Sequence, residues 1–520
     1  MESIDPASLR QKLESAVANH QAGRFAEAEA LYRQILAQQP DHADAMHLLG
    51  VVAGQTGRSE LAEELIRGAI RLKPDLAQAH NNLGSAIAAK GRFDEAIAFY
   101  RRAIELAPEF ADAHNNLGFA LIAKGQLDAA VAECREAIRI NPQLAEAHVN
   151  LGNALHGKGE LENAASSFRE AIRLRPDLAQ AHNNLANILR ITWRLEEAIA
   201  SYQNAIRLKP DLAEAYLNLG LALEANWQFD EAVASNQNAL RLKPDYVDAL
   251  VGLGTASGGM GQTEKAISYY REALRLNAGH LVARSNLIFM MNFQTGSDAM
   301  AILKEARRWD EYHGKPLQHL MRLHKNSRDP DRRLRVGYVS PDLHHHVVGW
   351  NLLPLLSQHD RQQFEISCYS SSTRPDAKTK QLRGYCDRWH EVLSLSDEDL
   401  AEQIRADEID VLIDLSLHTA ENRLRTFAIA PAPVQITYLA YCGTSGVSTM
   451  NYRLSDPHLD PPEQDLSCYS EETIRLAETY WCYAPGGPVP EPSVLPADQN
   501  SQITFGSMNQ FGKVSGAAFD

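Results

Sequence analysis

Apolar residues recur every three or four positions through the first half of the chain, the spacing that puts side chains on one face of an α-helix. Residues 76–108 show one unit of this pattern. Its apolar positions are Leu83, Ile87, Ala96, Ile97, Tyr100 and Ile104. Gly91 separates two helical segments, because glycine readily adopts the left-handed conformation that ends a helix. Pro108 stops the second segment, because it lacks an amide donor. The unit is therefore predicted to be two helices joined by a tight turn.

The unit recurs with a period of 34 residues. Proline occurs at positions 40, 74, 108, 142, 176, 210 and 244. Alanine occurs at positions 28, 62, 96, 130, 164, 198, 232 and 266. One glycine column consists of Gly50, Gly84, Gly118, Gly152, Gly220 and Gly254, with Ala186 in the gap. A second consists of Gly23, Gly57, Gly91, Gly125, Gly159 and Gly261, interrupted by Trp193 and Trp227. The shared register predicts eight helical hairpins over residues 7–278, which stack to bury their apolar faces.

These hairpins resemble the tetratricopeptide repeat, whose arrays coil into an α superhelix and usually offer a concave groove to an extended partner. A column of asparagines follows the same period. Its members are Asn82, Asn116, Asn150, Asn184, Asn218 and Asn286. An amide both donates and accepts hydrogen bonds, so such a row could hold a peptide backbone without reading its sequence. The alternative is that these asparagines bond the neighbouring repeat and stabilise the stack, and the sequence leaves both interpretations open.

The pattern changes after the repeats. Residues 279–330 continue as helices and form a predicted cap and linker, whereas residues 334–483 alternate strands with helices. The predicted strands lie at 334–340, 364–371, 410–416 and 434–441. This alternation favours a parallel sheet with helices on both faces, a Rossmann-like α/β domain. Ligands of such sheets bind at the carboxyl ends of the strands, so the loops after Ser340, Ser416 and Tyr441 are the expected location of a site.

Polar groups are concentrated in these loops. His344, His345 and His346 follow the first strand. A metal tract is one interpretation of the three histidines, but three consecutive residues cannot all ligate one ion with good geometry. A solvated loop is the alternative, and no metal site is predicted. Residues 442–446, Cys-Gly-Thr-Ser-Gly, could cradle a diphosphate through backbone amides or could form an ordinary turn.

Composition narrows the classes of function. The 520 residues carry 51 Lys and Arg against 66 Asp and Glu, a net charge of −15, which disfavours a nucleic-acid partner. No apolar run reaches the roughly 18 residues of a membrane span, so no membrane partner is predicted, and the N-terminus lacks the pattern of a signal peptide. The six cysteines form no Cys-x-x-Cys pair, which is typical of a reducing compartment. A cytoplasmic location is therefore predicted.

The second half of the chain resembles the catalytic region of the tetratricopeptide-containing protein O-GlcNAc transferases, including their bacterial SPINDLY-type members. The matching stretches, in order, are LRVGYVSPDLHHHVVGWNLLPLL, DVLIDLSLHTAENRL, APAPVQITYLAYCGTSG, MNYRLSDPHLDPP, YSEETIRL with WCY, and ITFGSMNQFGKV. The resemblance implies a GT-B glycosyltransferase, in which two Rossmann-like halves hold UDP-GlcNAc between them. A Ser or Thr hydroxyl of a protein then attacks the sugar with inversion. No cofactor beyond this donor substrate, and no metal, is expected.

The resemblance also implies roles for individual residues. His346 matches the family's active-site histidine and Lys513 matches the lysine that contacts the donor's diphosphate, so both are predicted catalytic residues. Gln510 matches a neighbouring donor contact. Together with Lys513, the loop residues Gly443 and Thr444 complete the predicted donor-binding set. The family's asparagine ladder, which holds acceptor polypeptides, matches Asn82, Asn116, Asn150, Asn184 and Asn218.

The sequence departs from the family pattern in three places and in length. Leu417 and Glu421 replace glycines, and Asn451 stands where aspartate is common. Loss of glycine is expected to block a positive φ angle or a close approach. After a Pro-rich linker at 484–502, residues 503–520 offer only the first strand of the second half, which needs on the order of 150–200 residues. We therefore expect that half to be nearly absent and UDP-GlcNAc to bind poorly, while the repeats bind peptides.

Three functions remain open at this point. The first is a protein O-GlcNAc transferase whose repeats bind the acceptor polypeptide and whose donor is the nucleotide sugar UDP-GlcNAc. The second is a catalytically inactive repeat scaffold that binds peptides. The third is a SPINDLY-type transferase of another sugar. A homo-oligomer is compatible with each of them.

Overall fold

The computed structural model describes residues 6–329 and 331–482. The chain divides into two compact units on either side of the bond between Asn226 and Trp227. Gln510 and Lys513 lie outside the described residues, as do the linker predicted at 484–502 and the strand predicted within 503–520.

The described part of the first unit consists of thirteen helices. They are α1 (Pro6–Gln21), α2 (Phe25–Gln38), α3 (Ala43–Gln55), α4 (Ser59–Leu72), α5 (Ala77–Ala88), α6 (Phe93–Leu106), α7 (Ala111–Ala123), α8 (Leu127–Ile140), α9 (Ala145–Gly157), α10 (Leu161–Leu174), α11 (Ala179–Ile191), α12 (Leu195–Leu208) and α13 (Ala213–Ala225). Consecutive helices pack as pairs, α1 with α2 and α3 with α4, and each pair contacts the next. The array is the predicted stack of hairpins.

A glycine in the first helix of a hairpin makes room for a large side chain of the second. A Cβ atom on Gly84 would lie 2.7 Å from the Tyr100 ring, and one on Gly152 would lie 2.6 Å from the Phe168 ring. Both rings are buried. Close packing between the two helices therefore explains the first glycine column.

The second glycine column lies in the turns between paired helices. Its members adopt φ angles between 71° and 80° and are Gly23, Gly57, Gly91, Gly125, Gly159 and Gly261. Trp193 and Trp227 adopt φ angles of 59° and 60° at the same position of their repeats. A residue with a side chain is strained in this left-handed region by about 1–2 kcal/mol, so these two turns keep the glycine conformation without glycine.

Helices continue at the start of the second unit and are followed by an α/β sheet. The helices are α14 (Phe229–Leu242), α15 (Val247–Gly259), α16 (Thr263–Leu276), α17 (Leu281–Met291) and α18 (Ala299–Trp309), then a π-helical turn (Asp310–Gly314) and a 3-10 turn (Lys315–Leu320). The strands are β1 (Leu334–Ser340), β2 (Phe364–Ser370), β3 (Arg388–Glu391), β4 (Val411–Asp414), β5 (Val434–Thr437), β6 (Tyr452–Ser455) and β7 (Glu472–Arg475). Between them lie α19 (Val347–Gln358), α20 (Ala377–Arg383), α21 (Asp397–Ala406) and α22 (Leu424–Ala428). None of the helices in the two described ranges has the length and apolarity needed to cross a bilayer.

The seven strands form one parallel sheet in the order β3-β2-β1-β4-β5-β6-β7. In the centre, Val336 of β1 pairs with Ile366 of β2 and with Val411 of β4. The predicted fold class, a stacked helical array followed by a Rossmann-like parallel α/β sheet, is confirmed. The order reverses direction between β1 and β4, so the crevice that binds ligands in such sheets is expected at their carboxyl ends.

Helix α18 packs directly against the loops that follow β4 and β5. Trp309 is fully buried, and its ring meets the ring of His418 edge-on at 5.5 Å between centroids. Its indole N–H donates to the Ser285 hydroxyl at 3.0 Å, which ties the same contact to α17. A Cβ atom on Gly446 would lie 2.3 Å from the backbone of Ala306, so only glycine fits there. The last repeat helices and the sheet consequently share one hydrophobic core.

Two glycine substitutions test whether the turn positions require glycine because of their backbone conformation. Gly159→Ala should lower the free energy of unfolding by about 1 kcal/mol, because φ is +78° and an added Cβ atom would meet no neighbour within 4 Å. Gly54→Ala should instead raise it by up to about 0.5 kcal/mol, because Gly54 is helical and an added Cβ atom finds ordinary contact at 3.6 Å. Urea unfolding of the full chain measures both values, and shifts of the same sign would contradict the interpretation.

A pH titration of stability tests the buried histidine beside Trp309. Burial lowers the pKa of His418 to about 4, whereas an unfolded histidine titrates near 6.5. Between these values the unfolded chain holds a proton on this histidine that the folded chain lacks, so the contribution of His418 to stability should fall by up to about 3 kcal/mol as the pH is lowered from 6.5 to 4.

His418→Gln should flatten this slope, because glutamine can still donate a hydrogen bond but does not titrate. The control is His345→Gln at an exposed histidine. Unfolding by urea across this pH range gives the slope for each variant. An unchanged slope in His418→Gln would mean that His418 does not carry the effect.

Candidate functional site

His346 lies at the carboxyl edge of the sheet, where it caps the N-terminus of α19. Its Nδ1 accepts the amide hydrogen of Val348 at 3.3 Å, while 41% of the side chain remains exposed. A neutral imidazole that accepts at Nδ1 carries its hydrogen on Nε2. In this geometry Nε2 is therefore a hydrogen-bond donor and not a base.

Asp342 lies between two of the three histidines. Its carboxylate oxygens are 3.7 Å from Nδ1 of His346 and 3.9 Å from Nε2 of His344. Burial raises the pKa of Asp342, and the neighbouring His344 partly offsets this. Burial likewise lowers the pKa of His344. The loop thus places an acidic group and two imidazoles together at the end of β1.

The start of α20 holds the histidine loop in place. Asp376 and Thr379 form a capping box, in which each side chain accepts the other's backbone N–H. Asp376 Oδ2 also accepts the amide hydrogen of His345 at 2.8 Å, and the Thr379 hydroxyl donates to the Leu343 carbonyl at 2.8 Å. These bonds join the loop to a second helix, so His346 sits on a fixed backbone.

The loop after β4 is organised around a buried carboxylate. Asp414 accepts hydrogen bonds from the amides of Ser416 and Leu417, at 3.1 and 2.9 Å, and from the Thr437 hydroxyl at 3.1 Å. Burial raises the pKa of Asp414 to about 6. At the end of the loop, the Thr419 hydroxyl donates to the Ser416 carbonyl at 2.7 Å. The loop is therefore closed by its own polar groups.

Two residues of this loop hold conformations that suit glycine. Leu417 has φ 47° and Glu421 has φ 58°, both in the left-handed region. These are the positions where the sequence lacks the glycines of the family pattern. The expectation that loss of glycine blocks a positive φ angle is wrong, because both residues adopt one despite the strain.

Gly443 and Thr444 lie in the loop after β5, where their polar groups bond within the fold. The Thr444 hydroxyl donates to Oε2 of Glu471 at 2.7 Å, and the Ser445 amide donates to Oε1 of the same carboxylate at 2.7 Å. The Gly443 amide donates to the Tyr441 carbonyl at 2.9 Å. A buried carboxylate of the chain itself thus occupies the loop that was predicted to cradle a diphosphate.

The asparagine column links consecutive repeats of the first unit. Nδ2 of Asn116 donates to Asn81 at 3.0 Å, and Nδ2 of Asn150 donates to Asn115 at 2.8 Å. Two further members behave alike: Asn184 donates to Asn153 at 2.9 Å, and Asn82 lies 2.9 Å from a ring nitrogen of His47. Asn218 is half-buried at the equivalent position of α13. The column therefore does link neighbouring repeats, which is one of the two interpretations that the sequence left open. Each asparagine that donates uses one amide hydrogen for this bond.

Sequence reasoning missed two carboxylates of this region. Asp342 lies just after β1, within the first stretch that matches the family. Its position at the end of a strand could have identified it as a site residue. Glu471 lies 26 residues beyond Ser445, and no local pattern links it to that loop. Within residues 6–329 and 331–482, no three His, Cys, Asp or Glu side chains are grouped so that they could hold a metal ion.

Comparison with family models places two kinds of domain on this chain. Residues 310–484 match the model of glycosyl transferase family 41. Repeat models match the helical part: TPR repeat at 84–122, 120–159, 154–190 and 194–226, and tetratricopeptide repeat at 16–77, 213–246 and 247–280. The family 41 match begins upstream of the predicted domain start at 334.

Two plant proteins are among the similar curated relatives. The probable UDP-N-acetylglucosamine–peptide N-acetylglucosaminyltransferase SPINDLY of Petunia hybrida is 36% identical over 194 residues, and its counterpart in Arabidopsis thaliana is 35% identical over 194 residues. Each match covers 36% of this chain and 21% of the relative, so the chain spans about a fifth of the length of these proteins.

A solved structure extends the likeness over more of the chain. A mutant of the Thermobaculum terrenum O-GlcNAc transferase shares 34% sequence identity with a TM-score of 0.55, covering 60% of this chain and 59% of that one. The chain therefore combines tetratricopeptide repeats with a glycosyl transferase family 41 domain and is homologous, over part of its length, to the SPINDLY-type O-GlcNAc transferases.

Proposed function

We propose that the protein transfers N-acetylglucosamine from UDP-GlcNAc to Ser or Thr hydroxyls of polypeptides held by its repeats, with inversion at the sugar. The observation that carries the proposal is the imidazole of His346, fixed at the N-terminus of α19 beside the β1–β4 crevice of a family 41 domain. Crevices at this point of a parallel sheet are the usual ligand sites of the fold.

The reaction places specific demands on the site. The acceptor oxygen forms a bond to the anomeric carbon while the bond from that carbon to the phosphate oxygen breaks. The hydroxyl proton passes to solvent water, and UDP departs with added negative charge. Groups that hold the acceptor in line and stabilise this charge lower the barrier most.

His346 serves this reaction as an orienting donor. Because Nδ1 accepts from Val348, the hydrogen of the neutral ring is on Nε2, and its proposed role is to donate to an oxygen of the sugar donor or of the acceptor. The carboxylate of Asp342 lies 3.7 Å from Nδ1 and limits the positions that the imidazole can take. The proposed contribution of His346 is therefore an oriented hydrogen bond.

The donor diphosphate needs cationic partners. Lys513 and Gln510, which lie outside the described residues, remain the proposed contacts, and the lysine supplies a point charge to the leaving group. Gly443 and Thr444 are retained as donor contacts with a condition: Glu471 has to release the Thr444 hydroxyl before a phosphate can accept from it.

The asparagine column is proposed to hold the acceptor backbone as well as the repeats. Asn116, Asn150 and Asn184 each use one amide hydrogen between repeats. A primary amide has a second hydrogen and a carbonyl oxygen, which suffice for one donated and one accepted bond to a peptide unit. The stacking and binding roles are therefore compatible.

A scaffold that binds peptides without transfer is the second candidate function. The observation that favours it is the engagement of Thr444 and Ser445 by Glu471, which fills the loop predicted for the diphosphate. Isothermal titration of the full chain with UDP separates the two candidates. Micromolar binding supports the transferase and would overturn the expectation from the sequence that UDP-GlcNAc binds poorly. No binding at millimolar UDP agrees with that expectation and supports the scaffold.

Substitutions at His346 separate its chemistry from its capping role. His346→Asn should keep the stability of α19, because asparagine is a good N-cap, but should reduce sugar transfer by at least about 100-fold. His346→Ala should lose transfer to the same extent and about 1 kcal/mol of stability in addition. Transfer is measured with radiolabelled UDP-GlcNAc and stability by urea unfolding.

His345→Ala is the matched control, because His345 is the exposed neighbour of His346 and has no proposed role in transfer. Its ring meets the Trp350 ring edge-on at 5.5 Å. It should retain transfer. Full activity in His346→Asn would show that capping is the only contribution of His346 and would remove it from the proposed site.

A further inference from the structure

An apolar cavity of about 690 Å³ lies within the second unit, between helices α14–α17 and the loop after β4. Five of its thirteen lining residues are Trp, Phe or Tyr, namely Trp227, Phe229, Tyr270, Phe289 and Phe293, and His418 adds an imidazole. The volume falls in the range of sites that enclose a small molecule or a few side chains. No lysine, arginine, aspartate or glutamate of the described residues lines it.

Trp227 is the most informative residue of this wall. It occupies a turn position that is glycine in six other repeats, it is held at φ 60°, and 66% of it is exposed. Its ring meets Phe229 edge-on at 5.7 Å. Glycine would satisfy this turn without left-handed strain, and the same holds at Trp193. What distinguishes Trp227 is its place in the cavity wall and its greater exposure, 66% against 40% for Trp193. Exposed aromatic groups around a concavity are typical of recognition surfaces.

The polar groups of the cavity suit a peptide unit. Asn286 contributes an amide that can donate and accept, whereas the Thr255 hydroxyl donates to the Val251 carbonyl at 3.1 Å and lies 3.2 Å from the Tyr270 hydroxyl. Asn286 also falls on the 34-residue register of the asparagine column. A nucleotide sugar is a poor match, because its phosphates need cationic partners that this wall does not offer.

The cavity borders the proposed transfer site. Its wall includes Thr419 and Ala420, which belong to the loop that follows β4 at the switch point of the sheet. Ala420 precedes Glu421, one of the two strained residues of that loop. Whatever fills the cavity is therefore held against the crevice in which a hydroxyl is proposed to react.

We propose that this cavity binds a large apolar side chain of the acceptor polypeptide, next to the serine or threonine that is modified, and so selects among acceptor sequences. The inference rests on the proposed transferase function. Three observations support this occupant: the aromatic side chains of the wall, the amide of Asn286, and the loop after β4 that the cavity shares with the crevice.

The test uses the full-length chain and a defined library of 13-residue peptides, each with a central serine and random residues elsewhere. Bound peptides are recovered without any nucleotide sugar and sequenced. The wild-type chain should enrich Phe, Leu, Met, Tyr or Trp about tenfold at a fixed distance from the serine, the gain expected for burying one such side chain.

Trp227→Gly should abolish this enrichment while raising the unfolding midpoint, because it restores the turn residue of the other repeats. A loss of binding therefore cannot be attributed to misfolding. Trp193→Gly is the matched control: it makes the same exchange at φ 59° in another turn and lies outside the cavity wall. It should leave the enrichment unchanged.

Each outcome bears on one proposal. Unchanged enrichment in Trp227→Gly, equal loss in Trp193→Gly, or no apolar enrichment in the wild type would overturn the cavity assignment. Enrichment that depends on Trp227, in a chain that transfers no sugar, would support the cavity as a peptide site and refute the transferase. Transfer without enrichment would refute the cavity assignment alone.

Discussion

The packing of helix α18 against the loops after β4 and β5 fixes the geometry of the second unit. Trp309 fills the space beside His418, and glycine at position 446 lets the backbone approach Ala306. The Nε2 hydrogen of His418 then reaches the Ser445 carbonyl at 2.8 Å, which joins the two loops to each other. Because the β4 loop is both a wall of the apolar cavity and a side of the strand-end crevice, this buried contact holds the two proposed binding regions together.

Three of the seven described non-glycine residues with a positive φ angle lie next to the same regions. Leu417 and Glu421 in the β4 loop, and Trp227 at the mouth of the cavity, all hold left-handed conformations that cost free energy. Non-glycine residues in such conformations persist where the surrounding structure fixes them, and they cluster at functional sites. At Leu417 two interactions offset the strain: the side chain is buried, and the amide donates a hydrogen bond to Asp414. At Trp227 the fold supplies no comparable burial, which is why its role is assigned to binding.

The sequence predicts the repeats well because their determinants are local and periodic. The turn glycines and the glycines facing Tyr100 and Phe168 act within one hairpin, so a 34-residue period reveals them. The central strands β1, β2, β4 and β5 were predicted from their apolar runs, but β3, β6 and β7 were not. These three are four residues long and mix polar with apolar side chains, so they are strands because the sheet supplies their partners.

The site was predictable only in part, for the same reason. His346 at the end of β1 follows from the strand and from the family pattern. The hydrogen bonds of the Gly-Thr-Ser-Gly loop could not be predicted from the sequence, because their acceptor Glu471 is distant in sequence. The sequence shows that Leu417 and Glu421 depart from the family pattern, but only the backbone geometry shows that both adopt positive φ angles.

The most direct test of the transferase is the product itself. The full-length chain is incubated with UDP-GlcNAc and a serine peptide, and the peptide is analysed by intact mass and by NMR of the anomeric centre. The expected mass increase is that of one N-acetylhexosamine. The expected linkage is β, because inversion converts the α-linked donor into a β-linked product. No mass increase, or an α-linked product, would contradict it.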